Sequence, residues 1–352
     1  MNRKLRFTLV AIVLLGGGAL SGCAGGGSND SGQAAKIGLL LPESKTTRYE
    51  SVDKPLFEKK LRSLGNYEII YSNASQDAAK QQQQAESALA QGIKVLVIDP
   101  VDAVAAKSIA SAAATQQVPV IAYDRFIDSK DISFYVSYDA EKVGELQGHA
   151  LVDHMKAQGT TGGILMINGS PTDSNAANYK RGAHKAIDAS GIPILGEYDT
   201  PDWTPEKAQD WTAGQISQFG MKIGGIYAAN DGTAGGAIAA LMAAGVTPLP
   251  PVTGQDAETS ALQRLVSGAQ YMTVYKAIRD EADAAAVATD QLATGKHVTA
   301  PTIIDGIPAD ILTPVVVTAD TIKNTIIKDQ FASIADICTS EYASACARLG
   351  LN

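Results

Sequence analysis

From Lys36 onward the chain alternates short β-branched runs with Ala- and Gln-rich stretches of helical period, and this alternation constrains the fold more than any other feature. The strand candidates are Lys36–Leu41, Tyr67–Ser72, Val95–Ile98, Val118–Tyr123, Phe134–Val136, Gly163–Ile167, Ile194–Tyr198, Gly224–Ala228, Pro251–Gly254 and Gln270–Tyr275. Several are apolar along their whole length, the pattern of parallel strands covered on both faces. Between them lie the helical stretches Asp77–Gln91, Ala103–Gln117, Ala140–Gln158, Ala176–Ala189, Thr204–Phe219, Gly232–Ala244 and Ala257–Ser267, and a later one over Asp280–Gly295. Gly92, Gly159, Gly191, Gly220 and Gly245 stand where C-terminal caps are needed. Repeated βα units make a right-handed parallel α/β sheet. About ten units are too many for one ordinary open sheet, so the expectation is two doubly wound lobes. The chain of 352 residues, 45% apolar and 19% charged, has material for two such cores.

Residues 1–22 read as a signal peptide: Arg3, Lys4 and Arg6 precede the apolar run Phe7–Leu20. The run ends in Leu20-Ser21-Gly22-Cys23, which resembles a bacterial lipobox with Cys23 as the lipidated residue; a plain signal peptide is the alternative. Residues 23–35, rich in Gly and Ser, read as the lipidated Cys and a flexible tether. Losing Arg3, Lys4 and Arg6 takes the formal charge from −8 to −11, and so acidic a chain lacks the basic surface that nucleic acid requires. Cys338 and Cys346 read as a disulfide in an oxidising compartment, with two buried free thiols as the alternative. No metal ligand set, P-loop, His-Glu-x-x-His or Gly-x-Ser-x-Gly motif occurs, the histidines are scattered, and no cofactor is expected.

In open parallel sheets ligands bind outside the carboxyl ends of the strands. Those positions are unusually polar here: Lys45, Arg48 and Tyr49 after the first strand, Asp124-Arg125, Asn168–Asn175, Trp203, Asn230-Asp231, Gln255-Asp256 and Lys276. Carboxylates accept from hydroxyls, Arg and Lys donate to them, Asn does both, and aromatic rings offer flat faces. That mixture suits a neutral polyol. Taken singly, any of these Asp or Asn residues could cap the next helix, and this is the reading preferred for Asp77 and Asp231. An enzyme with Asp124 and Asp256 as a glycosidase pair is the rival class, but Arg125 beside Asp124 opposes the raised pKa a general acid needs.

Several stretches carry a resemblance. They are Ala122–Arg125, Phe134–Asp139 with Glu141–Gln147, Gly169-Ser170-Pro171, Asn230–Ile238, Gly254–Ala257, Thr273–Lys276, Leu312-Thr313-Pro314 and Ile326–Asp329. Together they resemble the periplasmic sugar-binding proteins of ABC transporters, the ribose/galactose/xylose group, from about Lys36 to Phe331. The Glu141–Gln147 and Thr273–Lys276 stretches are similar to the xylose binders of that group. The resemblance implies the type I periplasmic binding fold, with residues 36–137 plus 278–310 in one lobe and 138–277 plus 311–352 in the other, joined by a hinge that closes on ligand. It implies a hydroxyl clamp at Asp124 and Arg125, contacts from Arg48, Asn175, Asn230, Asp256 and Lys276, and stacking by Trp203, with Tyr49 standing where xylose binders carry Trp; Lys45 joins the expected contacts by its place after the first strand. It further implies a monomer, a monosaccharide ligand with D-xylose favoured and glucose, ribose, arabinose or a furanose signal as alternatives, an ABC permease as partner, and a place outside the cytoplasm. A sugar-responsive repressor shares the core but would begin with a DNA-binding helix pair, where this chain has a signal and a tether.

Overall fold

The computed structural model describes residues 34–351; the signal peptide, Cys23 and nearly all of the expected tether lie outside the described residues. In chain order the elements are β1 (Ala35–Leu41), α1 (Lys54–Leu64), β2 (Tyr67–Asn73), α2 (Ala78–Ala90), β3 (Val95–Ile98), α3 (Ala106–Thr115), β4 (Val120–Tyr123), β5 (Ile132–Tyr138), α4 (Ala140–Ala157), β6 (Gly163–Asn168), α5 (Ser174–Ser190), β7 (Ile194–Asp199), α6 (Pro205–Phe219), β8 (Ile223–Ala228) and α7 (Asp231–Ala243). They continue with α8 (Thr259–Ser267), β9 (Met272–Tyr275), α9 (Ile278–Ala293), β10 (Thr302–Ile304), β11 (Ile307–Leu312), β12 (Val315–Thr318), α10 (Ile334–Ile337) and α11 (Ala343–Arg348). Ala35, read from sequence as tether, already pairs in β1 with Tyr67.

The first sheet has the order β10-β11-β5-β4-β3-β1-β2 and the second β7-β6-β8. Both are parallel apart from β10, which runs antiparallel to β11. Asp305-Gly306, both at positive φ, closes that hairpin as a two-residue turn. β3, β4, β6 and β8 are buried at every residue, as strands sandwiched between helices must be. The expected strand Pro251–Gly254 reduces to an isolated bridge between Val252 and Ile226, because Pro250 and Pro251 bring no N–H to a ladder. A second bridge, Gln255 to Val274, leads on to β9, which pairs antiparallel with β12.

Alanines of α9 (Ala282, Ala285, Ala286 and Ala288) pack with Phe57 and Leu61 of α1 onto Ile37 and Val97 of the first sheet. Helices α4 and α5 cross closely: a Cβ on Gly144 or Gly182 would collide with the carbonyl of Tyr179 or Glu141. The tail folds against α8, burying Ile337, Cys346 and Leu351, and Cys338 and Cys346 form a disulfide with Cα atoms 5.8 Å apart. Among the described residues no helix is long and apolar enough to cross a membrane.

Candidate functional site

The carboxyl ends of β1, β4, β7, β8 and β9 converge on one small cavity. Of the residues singled out in the sequence, Arg48, Tyr49, Asp124, Arg125, Trp203, Asn230, Asp256 and Lys276 line it. Asn175 stands just behind, donating its amide to the Asp124 backbone carbonyl at 3.0 Å and to Oδ1 at 3.3 Å. Lys45 is not brought into the cavity: its side chain is exposed, with Nζ donating to Thr204 Oγ1 at 3.0 Å. Thr46, Asp173, Tyr179 and Gln255 complete the wall. Tyr179 escaped the sequence reading because it lies within α5 rather than at a strand end. Asp173 had a signal, its place in the polar loop after β6.

Three buried cations organise the site. Arg48 donates from Nε and Nη2 to both oxygens of Asp53, at 2.9 and 2.6 Å, and from Nη2 to Glu281 at 2.8 Å. Its remaining nitrogen, Nη1, has no hydrogen-bond partner and lies 3.5 Å from both Asp124 Oδ2 and Asp256 Oδ1. Arg125 donates to the Pro100 carbonyl at 3.0 Å and to the Tyr49 hydroxyl at 3.1 Å, and its Nε is 2.9 Å from Asp173 Oδ2. Lys276 Nζ is 3.0 Å from Asp256 Oδ1 and 3.9 Å from Asp124 Oδ1. Each cation thus meets carboxylates from more than one strand end, which compensates the cost of burying charge.

The electrostatics at Asp124 oppose its acting as an acid. Burial pushes the Asp124 carboxyl up, but Lys276, Arg48 and Arg125 together outweigh burial and hold it below its ordinary value. Burial likewise lowers Lys276, and Asp124 and Asp256 overcome this, so the ammonium stays charged. Both Asp124 and Asp256 sit at positive φ, 58° and 95°, which aims their side chains into the cavity from tight turns.

Trp203 is held by Nε1 donating to Asp173 Oδ2 at 3.0 Å, with its ring against Gly169. Asn230 caps α7: its Oδ1 accepts from the Thr233 N–H at 2.9 Å, which leaves the amide nitrogen for the cavity. This corrects the reading of Asp231 as a cap. Its carboxylate instead accepts from the Glu258 N–H, Gln270 Nε2 and the Thr273 hydroxyl, fixing the loop that presents Asp256. Asp77 does cap α2, accepting from the Lys80 N–H at 2.9 Å. A larger hollow of about 930 Å³ lies at the opposite end of the second sheet, around Ile223, Leu241 and Pro250. No charged residue lines it, unlike the cavity at the strand ends.

Residues 37–297 match the periplasmic binding protein domain. The chain is 36% identical over 304 residues to the D-xylose-binding periplasmic protein of Escherichia coli, covering 84% of this chain and 90% of that protein. The same identity and coverage hold for the D-xylose-binding periplasmic protein of Haemophilus influenzae. Among solved structures, the carbohydrate transporter solute-binding protein of Chloroflexus aurantiacus in complex with D-glucose superimposes with a TM-score of 0.79 at 28% identity, covering 87% of this chain and 98% of that one.

Proposed function

The chain belongs to the periplasmic binding protein family, and from that premise we propose that it is the extracytoplasmic receptor of an ABC sugar importer, binding a monosaccharide, D-xylose first, and delivering it to the permease. It is a binding protein and not an enzyme, as are the relatives it matches. One observation carries the reading of the site: Arg48 Nη1 is a buried donor without a hydrogen-bond partner, 3.5 Å from Asp256 Oδ1, an acceptor that the Lys276 ammonium faces at 3.0 Å without closing a hydrogen bond. A single sugar hydroxyl satisfies both, accepting from the guanidinium and donating to the carboxylate. Asp124, Arg125, Asn230 and Lys276 offer the same mixture to further hydroxyls, and Trp203 and Tyr179 supply aromatic walls.

The division into lobes is part of the proposal. It is supported by α9, β10 and β11 rejoining the first sheet while β12 returns to β9. The pairing of Tyr138 with Leu312 supports a first lobe that runs slightly beyond residues 137 and 310. Chain crossings then fall next to Asp139, Lys276 and Leu312, and Asp139 N–H donates to the Leu312 carbonyl at 3.2 Å between two of them. Closure about these crossings brings Asp124 and Arg125 against Asp256 and Lys276, so sugar shifts the population toward the closed form. Cys23 as a lipid anchor to the membrane outer face rests on Leu20-Ser21-Gly22-Cys23 alone; a Cys23→Ser protein that stays in the membrane fraction after normal processing overturns it.

Trp203, one of the chain's two tryptophans, provides the test. D-xylose is expected to change its emission saturably, and D-glucose, the ligand of the Chloroflexus relative, is the comparator. A saturable response to D-glucose alone reassigns the sugar; no response to any monosaccharide overturns the receptor.

A further inference from the structure

Tyr49 lies in the cavity wall with its hydroxyl between the two halves of the hydroxyl clamp. It donates to Asp124 Oδ2 at 3.2 Å and accepts from Arg125 Nη2 at 3.1 Å. A phenol has one hydrogen, so both bonds are made only in this sense. Accepting from a guanidinium while donating to a carboxylate is what a sugar hydroxyl does at such a clamp. The ring is held in place by both guanidiniums, with Arg48 Cζ 5.3 Å and Arg125 Cζ 5.7 Å from its centroid. The other oxygen of Asp124 already faces Asn175 Nδ2 at 3.3 Å and Lys276 Nζ at 3.9 Å. The protein therefore fills one hydroxyl position of its own clamp.

We propose that the Tyr49 hydroxyl is a fixed stand-in for one hydroxyl of a larger sugar, and that it makes this site select pentoses over hexoses. The inference rests on the receptor reading above. D-glucose differs from D-xylose by a hydroxymethyl group. Its extra hydroxyl needs a donor and an acceptor on burial, and at the Asp124–Arg125 clamp Tyr49 has taken one of each. The selection is by polar partners rather than by space alone.

The experiment is isothermal titration of wild type and Tyr49→Phe with D-xylose, D-glucose and 6-deoxy-D-glucose. Wild type is expected to bind D-xylose at least about tenfold more tightly than D-glucose, the worth of one hydrogen bond to a charged group. In Tyr49→Phe, Asp124 Oδ2 and Arg125 Nη2 are released, and the ratio of D-glucose to D-xylose affinity rises about tenfold while the ratio for 6-deoxy-D-glucose stays put. Equal gains for both hexoses mean that space alone was the barrier, and overturn the inference. So does a parallel loss for all three sugars, or equal binding of D-xylose and D-glucose by wild type, a result that needs no variant. Wild type that binds no sugar overturns the receptor reading and this inference with it.

Discussion

Asp256→Asn separates the ligand role of a carboxylate from its structural role. The substitution preserves volume, and Asn tolerates the positive φ of 95° at this position, so the turn is kept. What changes is charge. The ion pair to Lys276 at 3.0 Å becomes an amide contact, while Asp124 at 3.9 Å remains as a partner for the ammonium. Breaking a buried ion pair outright costs about 3–5 kcal/mol. With the amide oxygen still accepting and Asp124 still present, the expected loss of stability is about 1–2 kcal/mol. The ligand is affected too, because Oδ1, which faces Lys276 but closes no hydrogen bond with it, is the acceptor proposed for a sugar hydroxyl. A hydrogen bond to a charged group is worth about 1.5–3 kcal/mol and a neutral one about 0.5–1.5 kcal/mol, so with the amide oxygen still accepting, Kd should rise roughly 5- to 15-fold. Calorimetric titration reads the affinity and a thermal melt reads the stability. A folded variant whose Kd stays within about threefold of wild type would refute the site assignment, since the loss from exchanging a charged for a neutral hydrogen bond is larger.

Other perturbations reach different parts of the account. Gly169→Ala places a Cβ against the Trp203 indole, so the ring must move and its bond to Asp173 is lost; sugar affinity should fall about tenfold or more, with a shifted tryptophan emission. Glu258 is pushed up to about 7 by burial and then by Asp256, and it faces the Thr47 N–H, Asp231 and Arg264. Its contribution to stability is complete below its ordinary value of 4.5 and is lost as pH rises to about 7; denaturant melts across that window should show wild type losing stability relative to Glu258→Gln. Replacing both Cys338 and Cys346 by Ala should cost about 2–3 kcal/mol, the closure entropy of a short loop, and leave sugar affinity nearly unchanged, because the tail packs on α8.

The strand–helix rhythm was legible because β3, β4, β6 and β8 are buried on both faces and so read as unbroken apolar runs. Helix α1 was not, since it runs on directly from the π-helical stretch Tyr49–Asp53 and so lacks a capped beginning. The β10–β11 hairpin had a signal that went unused, Asp305-Gly306 between β-branched runs. Strand ends led directly to Asp124, Arg125, Asp256 and Lys276, because parallel topology collects those positions on one side. The same rule led to Lys45, which turns outward to Thr204, and it passed over Tyr179, which reaches the cavity from the first turns of a helix. Buried support is the least legible layer. Asp53 and Glu281, which orient Arg48, are brought together only when α9 packs on α1.

The central claim is that a monosaccharide fills the cavity walled by Arg48, Asp124, Asp256 and Lys276. Isothermal titration of the purified protein with D-xylose, D-glucose, D-ribose and L-arabinose tests it most directly. One saturable site per chain, tightest for D-xylose, at about micromolar Kd or below, is the predicted result. The absence of heat with every sugar, from protein shown to be folded, would contradict it.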